Sequence, residues 1–273
     1  MNNSTIGAAV SMGALQQRLD LIADNIANVN TAGYKSKEGN FEDVLTRVQQ
    51  QSKEYELAGR TMPLGFDLGF GMRIPRITMS WEQGALKETG NPSDLALQGN
   101  GLFAVQVDGE TTYTRQGDFH FTPDNTNPAN MMLVDNTGNP VLNTQGNPLT
   151  VQAGTSVAFD EAGNVWMKRN ENDPPALAGR LMLVEPKNSE VLQAVDGGRF
   201  VLAGGVTAGQ AFVQRRPGEQ AGVAVRSGWI EQSNVDLNKE MTEMLQIQRT
   251  YQLAAKALSS GDQMLGLANN MRG

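Results

Sequence analysis

Apolar side chains near the beginning of the chain recur at alternating intervals of four and three residues. This heptad spacing predicts a helix with one continuous apolar face that is covered by a partner helix. The face consists of Met12, Leu15, Leu19, Ile22, Ile26 and Val29. Burial of one large apolar side chain stabilises a fold by roughly 1.5–3 kcal/mol, so leaving all of them in water would forfeit on the order of 10 kcal/mol. We therefore expect this face to be buried.

A second face with the same spacing lies near the end of the chain. It consists of Met244, Ile247, Tyr251, Leu258 and Leu265. The rest of the first helix is also low in charge, because residues 1–30 contain only Arg18, Asp20 and Asp24 as charged side chains. A helix that faces water usually carries many charges. We therefore expect the two helices to pack on each other and on further copies of the chain. The alternative is a two-helix hairpin that closes a monomer.

Between the helices the apolar pattern changes to short β-type runs separated by turn residues. Asp108-Gly109, between Leu102–Val107 and Thr111–Arg115, predicts a hairpin with a type I′ turn, which needs positive φ at both central residues. The other predicted hairpins pair Ser156–Phe159 with Val165–Lys168, Leu181–Glu185 with Val191–Val195, and Arg199–Leu202 with Gln210–Gln214. The middle of the chain therefore reads as one all-β module.

The predicted fold class is α+β, with coiled-coil-like paired N- and C-terminal helices and an inserted all-β domain. The segments are an N-terminal assembly helix (1–34), an extended connector (35–76), the all-β domain (77–228) and a C-terminal assembly helix (229–273). The end of the connector, 61–76, contains glycines and prolines that cannot continue a helix.

Composition narrows the possible functions. The chain of 273 residues has a net charge of −7 and no cysteine. The acidic balance makes nucleic acid an unexpected partner, and the missing thiols exclude disulfides and thiolate metal sites. The first Lys or Arg is Arg18, and no run of eighteen apolar residues occurs, so we expect neither a cleaved secretory signal nor a membrane span.

Candidate chemical motifs are weak. Gly99–Ala104 fits the dinucleotide-binding pattern G-x-G-x-x-A, but that pattern needs a following helix and here a strand is predicted. His120 is the only histidine, and its place between two phenylalanines of an alternating run puts it on the solvent side. We expect no catalytic, cofactor or metal site. An enzyme with two convergent carboxylates, such as a carbohydrate hydrolase, stays open as an alternative.

The end of the first helix carries a distinctive motif, NIANVNTAGYK. Its marked residues are Asn25, Asn28, Asn30, Thr31, Gly33, Tyr34 and Lys35. Gly33 is expected to supply a left-handed conformation that stops the helix. The motif closely resembles the N-terminal signature of the bacterial flagellar rod and hook family. Similar matches follow in order at 89–103 (TGNPSDLALQGNGLF), 113–119 (YTRQGDF), 232–236 (QSNVD) and 248–252 (QRTYQ).

The resemblance implies a structural subunit that polymerises into a helical tube whose inner wall is formed by paired terminal helices. It also implies export by the flagellar type III apparatus without a cleaved signal, and a place in the basal body that transmits torque. The implied partners are other copies of the chain and other rod, hook and export-apparatus proteins. Within the family the chain resembles rod members of the distal type. A hook or proximal-rod subunit and a secreted fibre or adhesin subunit are the alternatives.

Overall fold

The computed structural model describes residues 3–45, 69–124, 127–170, 173–187, 191–195, 198–213 and 223–270. The helices are α1 (Asn3–Ala27), α2 (Ala208–Ala211) and α3 (Leu237–Asn270). The strands are β1 (Lys37–Gly39), β2 (Glu42–Leu45), β3 (Gly69–Arg73), β4 (Ile77–Met79), β5 (Leu86–Glu88), β6 (Leu95–Gln98), β7 (Leu102–Val107), β8 (Glu110–Thr114), β9 (His120–Pro123), β10 (Asn130–Val134), β11 (Thr150–Gln152), β12 (Ser156–Phe159), β13 (Asn164–Lys168), β14 (Ala176–Arg180), β15 (Leu183–Pro186), β16 (Leu192–Val195), β17 (Arg199–Leu202), β18 (Phe212–Val213), β19 (Ala224–Ser227) and β20 (Trp229–Glu231).

The chain forms two compact units. The helical unit comprises Met1–Ile26, Lys37–Thr78 and Asp236–Gly273, and the β unit comprises Ala27–Ser36 and Met79–Val235. The predicted α+β fold, with helices at both ends and an inserted β domain, is confirmed. The finer segment boundaries stay predictions, and residues 46–68 of the predicted connector lie outside the described residues.

The β unit is built around a six-stranded sheet in the order β16-β17-β8-β7-β15-β18. Two three-stranded sheets, β11-β10-β9 and β12-β13-β14, supply further layers. The largest buried cluster includes Phe103 and Phe119, whose rings meet edge to face with centroids 5.0 Å apart. A second cluster on the six-stranded sheet includes Tyr113 and Phe212. These apolar contacts between strands far apart in sequence stabilise the unit.

Two predicted hairpins are confirmed. Strands β7 and β8 pair in antiparallel fashion, and the turn residues have positive φ, 51° at Asp108 and 86° at Gly109, as a type I′ turn requires. Strands β12 and β13 pair across residues 160–163. A strand and not a helix follows Gly99 and Gly101, so the dinucleotide-binding pattern lacks its structural context here.

The other two predicted hairpins are wrong. Strand β15 pairs with β7 and β18, and β16 pairs with β17. Strand β17 also pairs with β8, while residues 208–211 form the short helix α2. Leu183 lies opposite Phe103 in the central part of the sheet. Strand β7 thus pairs with β15, which is distant in the chain, and local spacing cannot reveal such a pairing.

The C-terminal part of the β unit pairs with strands from its beginning. Strand β19 pairs with β6, with Val225 opposite Leu97, and β20 pairs with β5. Val225 and Leu97 are both buried in the main core. The last strands of the β unit therefore close a domain that begins more than a hundred residues earlier.

The helical unit contains two small two-stranded sheets besides its helices. Strand β1 pairs with β4, and β2 pairs with β3. None of the described helices is both long enough and apolar enough to cross a membrane.

Candidate functional site

An apolar seam joins α1 and α3 inside the helical unit. Leu15, Ile22 and Ile247 are buried in it, with Ile22 fully inaccessible. The side chains packed around them are Leu19, Ile26, Met244, Tyr251 and Ala254. The heptad spacing places all of these residues on one face of each helix, so the seam can run the length of the contact.

Polar groups bridge the same two helices. Arg18 Nε donates to Glu243 Oε1 at 2.8 Å. Asn25 Nδ2 donates to Glu240 Oε1 at 3.1 Å, and the same amide exchanges two hydrogen bonds of 2.9 Å with the backbone of Lys37. Because lower numbers on α1 meet higher numbers on α3, the helices run antiparallel. Asn25 therefore ties α3 to the chain that follows α1.

Glu240 is the least well accommodated group of the helix pair. Its side chain is buried, and its Oε2 has no hydrogen-bond partner among the described residues. Burial raises the pKa of Glu240 above its ordinary value, and the hydrogen bond from Asn25 opposes that shift. The position therefore favours the neutral carboxyl group.

Three of the residues predicted for the helix seam lie outside the buried cluster. Met12 and Leu258 are half-buried on their helices but do not belong to the cluster. Val29 follows the end of α1 and falls within the β unit. The side chain of Leu265 lies outside the described residues.

The motif after α1 forms a tight turn. Asn28 accepts hydrogen bonds from the backbone N–H and the hydroxyl of Thr31, at 3.1 and 3.2 Å, and Asn30 is exposed. Gly33 has φ of +67°, the left-handed conformation that was predicted. The helix ends at Ala27, however, so Gly33 does not cap it. A Cβ at Gly33 would lie 2.6 Å from the carbonyl carbon of Arg115, so the glycine permits close contact of two backbone segments.

A buried charged cluster lies next to this contact and is formed by Lys35, Arg115 and Glu231. Lys35 Nζ donates to Glu231 Oε1 at 2.8 Å, and Arg115 Nε donates to Glu231 Oε2 at 2.6 Å. All three side chains are at most 2% exposed. Burial lowers the pKa of Lys35, while the contact with Glu231 acts in the opposite direction. One carboxylate thus compensates two cations in a site without water contact.

Backbone groups complete the cluster. Lys35 Nζ also donates to the carbonyl of Glu82 at 2.7 Å, and Arg115 donates to the carbonyls of Leu97 and Gly101. The N–H of Gly84 donates to Glu231 Oε1 at 2.9 Å. Each charged group is therefore satisfied by several partners, as a stable buried ion cluster requires.

The cluster fixes the two segments of the β unit that continue into the terminal helices. Gly33 N donates to the carbonyl of Glu231 at 2.8 Å. Asn234 Oδ1 accepts from Ser36 N at 2.7 Å, and its amide donates to the carbonyls of Ser80 and Glu82. The segment that leaves α1 and the segment that enters α3 are consequently held side by side.

Sequence reasoning missed Arg115, Glu231 and Asn234 as members of this site. Arg115 and Asn234 stand inside stretches that resemble the family, but nothing local to Glu231 distinguishes it from a surface carboxylate. The same holds for Glu240 and Glu243, whose roles depend on residues more than two hundred positions away. Lys35 needs an anionic partner when it is buried, but the sequence alone does not show that it is buried.

The described residues offer no cluster of metal-binding side chains. They contain no group of three or more histidine, aspartate or glutamate side chains that could hold a metal ion. His120 is exposed on β9, between buried Phe119 and half-buried Phe121, as the alternation predicts. The described residues form a helix pair in the helical unit and a buried charged cluster in the β unit.

Comparison with known families matches three separate parts of the chain. Residues 9–35 match the family described as flagella basal body rod protein. Residues 96–167 match the D1 domain of the flagellar hook protein FlgE/F/G family. Residues 226–271 match the C-terminal region of the flagellar basal body rod FlgEFG proteins. The first match includes most of α1, and the last includes all of α3.

Relatives cover nearly the whole chain. A flagellar hook-basal body complex protein, FlhP of Bacillus subtilis, is 30% identical over all of both chains. The flagellar basal-body rod protein FlgG of the same bacterium is 31% identical over all of both chains. FlgG of Borreliella burgdorferi is 31% identical over 97% of each chain. The chain belongs to the bacterial flagellar basal-body rod and hook protein family.

Proposed function

We propose that this chain is a structural subunit of the flagellar rod that polymerises through its helical unit into a helical tube. The observation that carries the proposal is the end-to-end similarity to basal-body rod proteins FlgG, at 31% identity. The paired helices α1 and α3 support it, because they form a unit with little charge on α1 and a large apolar content. The proposed activity is mechanical: the tube transmits torque to the hook and filament.

The buried cluster of Lys35, Arg115 and Glu231 suits this role. Torque passes through the backbone segments on either side of the helical unit, and these are cross-linked by Glu231 and Asn234. Buried, fully satisfied ion clusters resist rearrangement because breaking one contact leaves an uncompensated charge. A rod subunit benefits from a β unit that is stiff where the chain enters and leaves it.

The proposal includes the position and route of the subunit. The subunit is of the distal-rod type, and it is exported by the flagellar type III apparatus without a cleaved signal. Other rod proteins, hook proteins and export components are its partners. No step of this role needs a catalytic group or a cofactor.

Electron microscopy of isolated basal bodies tests the proposal. A short epitope inserted at the exposed turn around Gln145 leaves the cores intact. We expect antibody label on the rod, and deletion of the gene to leave basal bodies without a complete rod. Label on the hook would instead favour the hook subunit, which the match of residues 96–167 to a hook family makes the second candidate. Unlabelled, intact basal bodies would exclude both.

A further inference from the structure

Helix α3 has two apolar faces, and α1 covers only one of them. The second face is formed by large side chains that are between 51% and 70% exposed: Met241, Leu245, Leu253, Met264 and Leu267. Together with Arg249 and Lys256 they follow steps of three, four or eight residues, which places them on one side of the helix. The covered residues Met244, Ile247 and Tyr251 lie on the opposite side. We call the exposed side the outward face of α3.

Helix α1 of the same chain is too short to cover α3 completely. The helices run antiparallel with Asn25 beside Glu240, so Asn3, twenty-two residues back, lies roughly level with residue 262. Met264 and Leu267 lie beyond that level, and both are at least 65% exposed. Contiguous exposed apolar side chains of this kind mark a surface for another molecule.

The charges on the outward face of α3 have one sign. Arg249 and Lys256 are exposed, and neither has a hydrogen bond or ion pair among the described residues. The glutamates Glu240 and Glu243 point to the other side, where they contact α1. The outward face therefore attracts a surface that carries a free carboxylate.

The outward face of α1 has the complementary properties. Its exposed residues are Ala9, Val10, Gly13, Gln16, Gln17, Asp20 and Ala23. Asp20 is exposed without a partner among the described residues, whereas Asp24 pairs with Lys37 of its own chain. Small side chains around Gly13, where a Cβ would meet nothing within 4 Å, leave room for large apolar side chains from a second helix.

We infer that the outward face of α3 in one copy packs against the outward face of α1 in a second copy, with Asp20 paired to Arg249 or Lys256. The inference rests on the proposed polymerisation and specifies the surfaces that produce it. The two outward faces belong to different helices of the same subunit. Each copy therefore has one α1 face and one α3 face available for contact. Such a head-to-tail contact leaves free faces at both ends and generates an open helical assembly.

Charge exchange in the host bacterium tests the pairing. Asp20→Lys, Arg249→Asp and Lys256→Asp each place like charges in the contact. We expect Asp20→Lys and at least one α3 variant to reduce the amount of the chain in isolated basal bodies to roughly a fifth or less. Combining Asp20→Lys with that α3 variant in one chain restores the amount. Glu38→Lys, a charge reversal of an exposed residue on β1 and so on neither helix face, is the matched control and leaves the amount unchanged.

The outcomes separate the inference from the proposed function. If the wild-type chain is absent from basal bodies, the proposed function is wrong. If the wild-type chain is present and the three single variants match it, the inference is wrong. Loss without rescue in either double variant also overturns it and points to a different rod protein as the occupant. Far-UV circular dichroism of each purified variant must match the wild type, because exposed substitutions leave the helix seam intact.

Discussion

Gly33 shows how a single residue decides whether two backbone segments can meet. It combines a φ of +67° with a Cβ position 2.6 Å from the backbone of Arg115. An alanine there carries both left-handed strain and a backbone clash. The glycine is therefore required twice, once by conformation and once by space.

We expect Gly33→Ala to destabilise the β unit by roughly 3 kcal/mol, the sum of about 1–2 kcal/mol of strain and 1–3 kcal/mol of overpacking. The matched control is Gly90→Ala, which has φ of +73° and nothing within 4 Å of its Cβ. Gly90→Ala should destabilise the β unit only by the backbone strain of about 1–2 kcal/mol. The measurement is thermal unfolding followed by tryptophan fluorescence, since Trp81, Trp166 and Trp229 all lie in the β unit. Equal losses for both variants would contradict the clash.

Glu240 predicts a pH dependence of the helical unit. Burial raises the pKa of this carboxyl group in the folded state. The carboxyl group therefore keeps its proton up to a higher pH than it does in the unfolded chain, where the pKa of a glutamate is about 4.3. The favourable contribution is complete below the unfolded pKa and is lost as the pH rises through the raised, folded pKa. Above that point the helix pair contains an ionised carboxylate that is poorly solvated.

We expect Glu240→Gln to raise the melting temperature of the helical signal at pH 7 and to flatten its dependence on pH. Glutamine retains the acceptor for Asn25 and removes the charge. Circular dichroism at 222 nm between pH 4 and 8 measures this. Glu243→Gln is the control, because it weakens the pair with Arg18 and should lower the melting temperature. A glutamine variant whose stability follows pH like the wild type would argue against the assignment.

At the scale of elements, the charged cluster joins strand β20 to the segment after β8 and to the motif after α1. The loss of stability depends on which member of the cluster is removed. Without Glu231, two buried cations face each other without an anion. Without Lys35, a neutral Arg115–Glu231 pair remains.

We therefore expect Glu231→Leu to be the most destabilising, at roughly 3–5 kcal/mol, and Lys35→Met the least. Arg115→Met should fall between them, since it leaves a neutral Lys35–Glu231 pair but abandons the carbonyls of Leu97 and Gly101. Urea unfolding of the β unit, followed by tryptophan fluorescence, gives the order. If the Lys35 variant is as unstable as the Glu231 variant, the number of uncompensated buried charges does not determine the stability of the cluster.

The helix seam makes a separate element-scale prediction. Ile22 is fully buried between α1 and α3, and its neighbour Ala23 is exposed. Ile22→Asp places a charge in the seam, so it should remove most helical signal at 222 nm and abolish incorporation into basal bodies. Ala23→Asp, a matched control, should retain the helical signal. The tryptophan melting curve should stay the same in both, because the tryptophans report only on the β unit. A shifted tryptophan curve would show that the two units unfold together.

At the scale of the whole molecule, the β unit depends on residues that come late in the chain. Strands β19 and β20 contribute Val225 to the core and Glu231 to the charged cluster. A chain truncated after Val223 should show no cooperative unfolding of Trp81 and Trp166. A chain truncated after Val235 loses α3 but retains both strands, so it should unfold cooperatively. If the shorter chain also unfolds cooperatively, closure by the last strands is not essential for the fold.

The sequence by itself determined the features that depend on local periodicity and local turn chemistry. The heptad spacing of α1 and α3 and the Asp108-Gly109 turn follow from residues within a few positions of each other. The motif around Gly33, together with four later stretches, indicated the family by resemblance. Val29 continues the apolar spacing, but the helix itself ends at Ala27.

Only the tertiary structure decided which strands pair and which charges meet. Strand β15 pairs with β7 and not with β16, the next strand in the sequence. Glu231 contacts Lys35 across 196 positions of the chain. Such contacts form because burying apolar surface is favourable and because a buried charge needs an opposite charge. In both cases the partner can lie anywhere in the sequence. Coulombic and packing forces act through space, so local patterns carry no record of their partners.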